Sequence, residues 1–284
     1  MLTRAVPRGG FLLRDPVFLA IAATAAVVFA FPLWFMATSA FKAEHEIQAI
    51  PIHWLPHDFQ WLAQFKLAGE IAPLWLYFTN SMIFSLSHAV ATVFFGAMAG
   101  FGFAKYRFPG RTMLFLLVIS TLMVPFQILV VPLFIEIKYF GWENSYAGLI
   151  LPGLVNAFGV FMMRQYAEEI PDELLEAARV DGASEPFIFL RIVLPLLAPA
   201  LVSLGIIVFI WAWGAFLWPL VVVQDRDLYV LSVGLSAYVQ PYNREPTWGA
   251  AMAASTIATL PIACLFIFLQ RYFIKGLTAA AVKG

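Results

Sequence analysis

Long stretches without Asp, Glu, Lys or Arg constrain this chain more than any other feature. Six of them are at least 20 residues long, and roughly 20 apolar residues are enough for a helix to cross the hydrocarbon core of a bilayer. The next longest, 228–243, has only 16 residues. Barrel strands are excluded because they are about ten residues long and alternate in polarity. The sequence therefore predicts an all-α, polytopic membrane protein with six transmembrane helices, at about 17–41, 75–104, 112–135, 146–163, 195–223 and 248–270.

The composition agrees with a chain that is surrounded mainly by lipid. Hydrophobic residues make up 62% and charged residues 12%, whereas soluble domains carry about 25% charged residues. Such a chain is too apolar for disorder, and its net charge of zero gives no field for nucleic acid. The one cysteine, Cys264, excludes a disulfide framework and a multi-cysteine metal site. Because Cys264 falls in the sixth span, we expect it to be buried and inert.

Basic residues are distributed unequally between the two sets of connecting segments. With six spans both termini lie on one side, and that side carries twelve of the seventeen Lys and Arg residues. Since basic residues concentrate in cytoplasmic loops, we expect both termini to be cytoplasmic. The alternative for the first stretch is a cleaved signal peptide, because Arg4, Arg8 and Arg14 precede it. Its apolar core exceeds the usual ~7–15 residues of such a segment, so we expect a retained span.

The cytoplasmic loop 164–194 is unusually acidic for the positive side of a membrane, with seven acidic and three basic residues. Pro171 fits the start of a helix, and Gly182 fits its end because glycine tolerates a left-handed cap. Ser184 fits the start of a second short helix, and Pro195 predicts a bend. Two interpretations stay open on the residues alone: an amphipathic helix that docks on a partner, or a solvated loop that lies on the headgroups.

This loop resembles a known family. The pattern E-A-A-x3-G-x9-I-x-L-P is the EAA loop of ATP-binding-cassette (ABC) importer permeases, and its fixed positions are matched by Glu176, Ala177, Ala178, Gly182, Ile192, Leu194 and Pro195. Similarity to the MalG-like subunits of carbohydrate importers extends to three further segments, 103–110, 146–152 and the end of the chain, 270–284. The resemblance covers roughly 75–284 well and the first span loosely. It implies a type I importer permease fold, with 1–284 forming a single transmembrane permease domain.

The resemblance also implies where partners bind. The seven matched positions would couple the permease to an ATPase. The C-terminal tail, 271–284, would reach the ATPase subunits through Gly276, Leu277, Thr278, Val282, Lys283 and Gly284. The loop between spans five and six would contact an external binding protein through Tyr229, Tyr238, Tyr242 and Arg244. The alternatives from the residues alone are a frayed cationic end for the tail and an interfacial aromatic belt for the loop.

The implied complex contains a second, homologous permease subunit, two ATPase subunits and an extracytoplasmic substrate-binding protein, in the lipid bilayer of a bacterial inner membrane and without nucleic acid. The chain has no G-x-x-x-x-G-K-[ST] phosphate loop, so ATP must be hydrolysed by another chain. We therefore expect no enzyme activity, no catalytic residue, no metal and no cofactor here, with ATP and Mg bound by the partner ATPase subunits. His53 and His57 are interpreted as loop residues.

The spans contain no Asp, Glu, Lys or Arg, so the path through this chain is neutral. Aromatic faces and amides suit sugars, and the candidates for lining the path are Asn80, Gln127, Asn156, Trp211, Trp213 and Phe216. Each polar one of these, taken alone, also fits a bond between helices, as we expect for His88. The family often has Asn after the first Trp of a W-N-x-F pattern, where this chain has Gly214.

The sequence favours a sugar or sugar derivative as the transported solute. The alternative within the same family is a sugar acid, a polyol or a glycerol phosphate. A stand-alone secondary transporter is less favoured, because it would need intramembrane carboxylates for ion coupling. A membrane enzyme lacks any catalytic constellation.

Overall fold

The computed structural model describes residues 16–239 and 247–281, and this part of the chain is helical with no strand. The helices are α1 (Pro16–Ser39), α2 (Glu44–Ile47), α3 (Ala63–Ile71), α4 (Leu74–Lys105), α5 (Arg111–Ser120), α6 (Phe126–Tyr139), α7 (Tyr146–Ile150), α8 (Ala157–Glu168), α9 (Asp172–Val180), α10 (Glu185–Phe187), α11 (Leu194–Leu196), α12 (Ala198–Trp213), α13 (Leu217–Val222), α14 (Leu231–Gly234), α15 (Ser236–Val239) and α16 (Trp248–Ala281). A π-helical segment, Ile188–Val193, joins α10 to α11.

Three helices in the described ranges are long and apolar enough to cross a membrane unaided, namely α1, α4 and the Trp248–Phe268 part of α16. Three further pairs of helical segments pass the same test only together. The first pair, Arg111–Met123 with Phe126–Tyr139, is bent by 103°. The second, Tyr146–Gly153 with Ala157–Glu168, is bent by 42°, and the third, Glu185–Leu196 with Ala198–Trp213, by 78°. The chain therefore has three clear spans, and up to six if each bent pair makes one crossing.

Prolines explain where two of the breaks fall. Val124 is extended (ψ 115°) and immediately precedes Pro125, as expected because proline disfavours the helical conformation of the residue before it. The third bend lies at Leu197, between Pro195 and Pro199. The bend predicted at Pro195 is thus found two residues further along.

The described residues divide into two compact units, 16–72 with 237–239 and 247–257, and 73–236 with 258–281. In the first unit, the carboxylate of Glu44 accepts hydrogen bonds from the backbone N–H groups of Trp248 (2.7 Å) and Gly249 (2.9 Å). These are unsatisfied donors at the start of α16, so Glu44 caps that helix from a distance in sequence. The hydroxyl of Tyr238 donates to the carbonyl of Ala68 (2.8 Å) in the same unit.

The second unit is built around α4. Its buried positions recur every three to four residues, as a helix face requires, and include Ser81, Phe84, Ser85, His88, Thr92, Gly96 and Gly100. Many of them are small or polar, which suits close helix packing in lipid. The Nδ1 atom of His88 lies 3.1 Å from the carbonyl oxygen of Phe84, so this histidine is bonded within the bundle as expected. Cys264 is exposed, and the expectation of a buried thiol was wrong because its side of α16 has no covering element among the described residues.

Glycines on α4 allow α8 to approach closely. A Cβ atom on Gly96 would lie 3.1 Å from the backbone of Gly159, and one on Gly100 would lie 2.6 Å from the backbone N of Arg164. Backbone atoms cannot move aside as a flexible side chain can. The G-x-x-x-G pattern of Gly96 and Gly100 therefore serves helix packing.

Substituting Gly100→Ala is expected to destabilise the protein by about 1–3 kcal/mol, because the added methyl group overpacks a backbone contact. Thermal unfolding in detergent measures this loss. The matched control is Gly102→Ala on the same helix, where nothing lies within 4 Å of the added Cβ, and alanine's higher helix propensity is expected to leave stability equal or slightly raised. Equal unfolding temperatures for the two variants would contradict the close approach of α8.

Candidate functional site

The short helix α9 begins and ends as its sequence predicts. It follows Pro171, and Asp172 and Glu173 occupy its first turn, where negative charge complements the helix dipole. It ends before Gly182, which has a left-handed φ of +84°. The backbone N–H groups of Asp181 and Ala183 bond to the carbonyls of Ala177 and Ala178, at 3.0 Å each. This is the glycine-stopped helix end expected from the Asp-Gly pair.

Most of α9 is not covered by the other residues that the structure describes. Leu175 is 1% exposed and anchors the helix, whereas Glu176 and Ala177 are exposed and Ala178 is half-buried. No hydrogen bond or ion pair joins the carboxylate of Glu176 to the described part of the chain. The helix therefore presents one carboxylate beside two small residues, a surface on which a partner with a complementary cation can approach closely.

A lysine at the end of α4 holds the start of α9. The Nζ atom of Lys105 donates to the backbone carbonyl of Ile170, and lies 2.7 Å from the carboxylate of Asp172. It also lies 3.5 Å from the carbonyl of Glu168. The hydrogen bond and charge of Lys105 lower the pKa of Asp172 below its ordinary value. This interaction is present above the ordinary pKa of an aspartate and is lost as the pH falls through the lowered value.

A second tether holds the end of α9. The Nε atom of Arg179 lies 2.7 Å from the carboxylate of Glu185, and the hydroxyl of Tyr106 donates to the same carboxylate. Hydrogen bonds from Arg179 and from Tyr106 lower the pKa of Glu185. Lys105 and Tyr106 thus tie both ends of α9 to the C-terminal end of α4.

The segment after α9 leads through α10, the π-helical segment and α11 into the apolar helix α12. Ser184 precedes α10 as predicted, although its side chain makes no capping hydrogen bond. Ile192 and Leu194 are half-buried, and Pro195 is exposed. Anchoring comes mainly from their neighbours in the π-helical segment, because Ile188 and Val193 are fully buried and the Phe189 ring lies 5.9 Å from that of Phe101 in α4.

Two of the residues predicted to line a path meet around one cavity in the second unit. Its volume is about 170 Å³, and it is lined by Phe84, His88, Phe126, Pro152, Gly153, Asn156, Val208, Trp211, Ala212, Ala215 and Trp218. Asn156 and Trp211 belong to the predicted set. The side-chain oxygen of Asn156 also caps α8 by accepting from the N–H of Gly159 (2.8 Å). The volume is below the ~300–1,000 Å³ usual for a complete ligand pocket.

The other four predicted path residues lie outside this cavity. Asn80 is buried, and its amide donates to the carbonyls of Asp227 (2.8 Å) and Tyr229 (3.0 Å) while it accepts from the Tyr146 hydroxyl (2.6 Å). Because the nitrogen and the oxygen of this amide both have hydrogen-bond partners within the chain, Asn80 stabilises the fold and is not free to bind a solute. The indole N–H of Trp213 donates to the carbonyl of Ala258 (2.9 Å). Gln127 and Phe216 are exposed.

The residues predicted to contact an external protein are only partly described. Tyr229 is half-buried, and its ring lies 5.9 Å from that of Tyr77. Tyr238 is 1% exposed, so its predicted contact is corrected: the phenol belongs to the core of the first unit. Tyr242, Arg244, Val282, Lys283 and Gly284 lie outside the described residues. Gly276, Leu277 and Thr278 fall within the helical backbone of α16.

Comparison with known proteins decides the family. The family described as "Binding-protein-dependent transport system inner membrane component" matches residues 92–279. The chain belongs to this family. It is a membrane permease, as the EAA pattern predicted, and the family is not one of known enzymes.

Individual relatives of this permease are transport subunits. It is 42% identical over 215 residues to an arabinooligosaccharide transport system permease protein, AraQ, of Halalkalibacterium halodurans, covering 76% of each chain. It is 32% identical over 255 residues to the sn-glycerol-3-phosphate transport system permease protein UgpE of Escherichia coli, covering 88% of this chain and 91% of that one. Its fold matches a chain of a bacterial ABC transporter involved in the import of the acidic polysaccharide alginate, with a TM-score of 0.81, 19% identity, and 95% and 99% coverage.

Sequence reasoning about this permease missed the tethers of α9. Lys105 and Tyr106 belong to the segment 103–110, which resembles the family but offers no charge pattern that points to 168–185. The sequence does place a basic residue, Lys105, beside Tyr106 at the end of a span, on the same side of the membrane as the acidic loop 164–194. Opposite charges on neighbouring loops suggest an ion pair, but only the fold identifies which acids are within reach.

Proposed function

We propose that this permease is one of two homologous transmembrane subunits of an ATP-driven ABC importer, and that α9 is the helix on which an ATPase subunit docks. The observation that carries the proposal is the exposure of Glu176 and Ala177 on a helix that is otherwise fixed at both ends. A helix that is fixed at both ends passes a displacement by the ATPase on to the helices joined to it. A loose loop would move without displacing them. ATP and Mg are bound by the ATPase subunits, and this chain binds no cofactor and does no covalent chemistry.

The proposed topology has six spans within one permease domain. One crossing lies within each bent pair of helices, and the parts of these pairs inside 164–194 belong to the cytoplasmic loop. The termini and the tail 271–284 are cytoplasmic as well. The distribution of basic residues supports this orientation. The rigid connection of α9 to α4 and, through the π-helical segment, to α12 supports the proposed route of coupling. Closure of the ATPase subunits would move α9, and α4 and α12 would change the opening of the path.

We propose a sugar or sugar derivative as the solute, delivered by an extracytoplasmic binding protein. The 42% identity to an arabinooligosaccharide permease protein supports it, as does a cavity with an aromatic face at Trp211 and polar groups at Asn156 and His88. The partner permease would complete the small cavity. The similarity to a glycerol-3-phosphate permease protein supports the alternative, in which the second subunit supplies the cation that an anionic solute needs.

Affinity purification of the tagged chain from its own membrane tests the assembly. We expect a second permease and an ATPase to be recovered with it, and uptake in vesicles to require all of them with the external binding protein. Transport by the purified chain alone would contradict the proposal. Binding of a panel of mono- and oligosaccharides, sugar acids and glycerol phosphates to the cognate binding protein distinguishes the two solute classes.

Deleting the last nine residues, 276–284, is expected to reduce the recovery of the ATPase or its regulation, because the resemblance implies that this tail reaches between the ATPase subunits. Quantitative copurification and the ATP turnover rate measure the effect. The control exchanges Ala280 for Gly, which keeps the length and the six predicted contact residues of the tail. Unchanged recovery and turnover after the deletion would contradict a role for the tail.

A further inference from the structure

The connection between α1 and α3 carries its large apolar side chains on the outside. Within the apolar loop, defined as residues 50–62, Asp58 is the one Asp, Glu, Lys or Arg. Seven large apolar side chains of this loop are about half exposed or more: Ile50, Ile52, Trp54, Leu55, Phe59, Trp61 and Leu62. Ile50 is 97% and Trp61 73% exposed. Burying apolar surface is favourable by about 25 cal/mol per Å², so this many exposed large apolar side chains within one short loop indicate a covering partner.

The apolar loop is held in place by polar groups on its inner side. Lys42 is fully buried, and its Nζ atom donates to the carbonyl of His53 (2.8 Å). The carboxylate of Glu46 accepts from the backbone N–H groups of His57 (3.1 Å) and Asp58 (2.7 Å). These bonds hold the loop backbone at three points, 53, 57 and 58, from its inner side, and the apolar side chains lie outward beside the exposed His57 and Asp58. So many large apolar side chains on the outside are not expected of a loop that faces water.

Contacts with α1 fix the level of this loop along a membrane span. The Trp54 ring lies 5.7 Å from that of Phe31 and 6.5 Å from that of Phe35. Phe35 lies four residues before the end of α1, which corresponds to about 6 Å along the helix axis. The spanning window of α1 is 0% buried within the chain, so the surface beside Trp54 is continuous with one that faces lipid or another membrane subunit.

We propose that the apolar loop is a membrane-interface anchor. Trp54 and Trp61 would lie at the headgroup level of the leaflet that surrounds the C-terminal end of α1, with Ile50 and Leu55 in the upper acyl chains. Indole rings concentrate at this level because one side is apolar and the N–H bonds to water or headgroups. The occupant is a phospholipid surface, since the patch continues from a membrane span and carries almost no charge. The anchor is independent of what the permease transports.

Site-directed spin labelling of the full chain in phosphatidylethanolamine–phosphatidylglycerol vesicles tests the anchor. The native thiol is first removed by Cys264→Ala, and a nitroxide is attached after Ile50→Cys or Trp61→Cys. Val27→Cys in α1 is the lipid reference, and Glu70→Cys, exposed on α3, is the water reference. We expect the ratio of oxygen to nickel-chelate accessibility at positions 50 and 61 to be several-fold higher than at position 70. A ratio equal to that at position 70 would overturn the anchor.

A protein occupant gives a different result. Nickel accessibility at positions 50 and 61 would then be high in vesicles and would fall when the external binding protein or the second permease is added, which would overturn the lipid assignment. Uptake and copurification of the ATPase are measured on the same labelled proteins. Water-exposed labels in a complex that still transports would contradict the anchor alone and leave the proposed function intact.

Discussion

The double substitution Glu176→Lys with Gly182→Arg is expected to leave the permease in the membrane and to reduce ATP-driven uptake at least tenfold. Glu176 is exposed and its carboxylate makes no hydrogen bond or ion pair with the described part of the chain, so its charge is available to a partner. Reversing it removes a charge-assisted hydrogen bond of about 1.5–3 kcal/mol and adds repulsion, and each ~1.4 kcal/mol is tenfold in affinity. Gly182 has open space around its Cβ position, but its φ of +84° disfavours any residue with a side chain, so the turn that aims α9 would be disturbed.

The control for this double variant carries the same chemical changes elsewhere. Gly69→Arg with Glu70→Lys lies on α3, where Glu70 is exposed and nothing lies within 4 Å of a Cβ on Gly69. We expect normal membrane insertion for both variants and normal uptake for the control. Uptake assays in vesicles, with the amount of permease measured by immunoblot, give the comparison. Undiminished uptake by the Glu176 and Gly182 double variant would refute α9 as the coupling helix.

The substitution Lys105→Met is expected to uncouple transport while it leaves α9 present. The side chain of Lys105 is 9% exposed and binds the carbonyl of Ile170 and the carboxylate of Asp172. Losing a hydrogen bond to a charged group costs about 1.5–3 kcal/mol, and the start of α9 would no longer be joined to α4. We expect a several-fold loss of uptake per ATP hydrolysed and faster proteolysis within 168–172.

Arg107→Met is the matched control for Lys105, because Arg107 is exposed and lies two residues away in the same segment. We expect its proteolysis pattern and its ratio of uptake to hydrolysis to remain normal. Lys105→Arg tests whether any cation suffices at this position. Equal proteolysis rates and equal transport efficiency for Lys105→Met and Arg107→Met would contradict the role of the Lys105 tether.

The sequence predicts the helical class and the bounds of α9 because both depend on local signals. Length without charge identifies the apolar segments, and Pro171 with Gly182 identifies the ends of α9. The bends are only partly accessible from sequence. Proline marks a position where a helix is weakened, but packing decides where the chain turns, as Leu197 shows next to Pro195.

The placement of the candidate site residues depends on contacts between residues far apart in sequence. Such contacts cannot be predicted from the pattern of a single sequence. The residue type of Asn80 is suited to binding a solute. Its amide instead donates to the carbonyls of Asp227 and Tyr229, which are 147 and 149 residues away in sequence. Tyr238 looks like an interface tyrosine and lies in the core. The amide of Asn156 caps a helix and lines the cavity as well. In each case the residue type predicts which interactions the side chain can make, and only the fold shows which partner it makes them with.

Cross-linking from α9 tests the central proposal most directly. Ala177→Cys in the Cys264→Ala background places a single thiol on the exposed face of α9, and Glu70→Cys provides the same thiol on α3. The assembled complex in its membrane is treated with a short thiol-to-amine cross-linker. The proposal predicts a covalent product of permease and ATPase subunit from position 177, and none from position 70. A complex that transports normally but gives no such product from position 177 would contradict it.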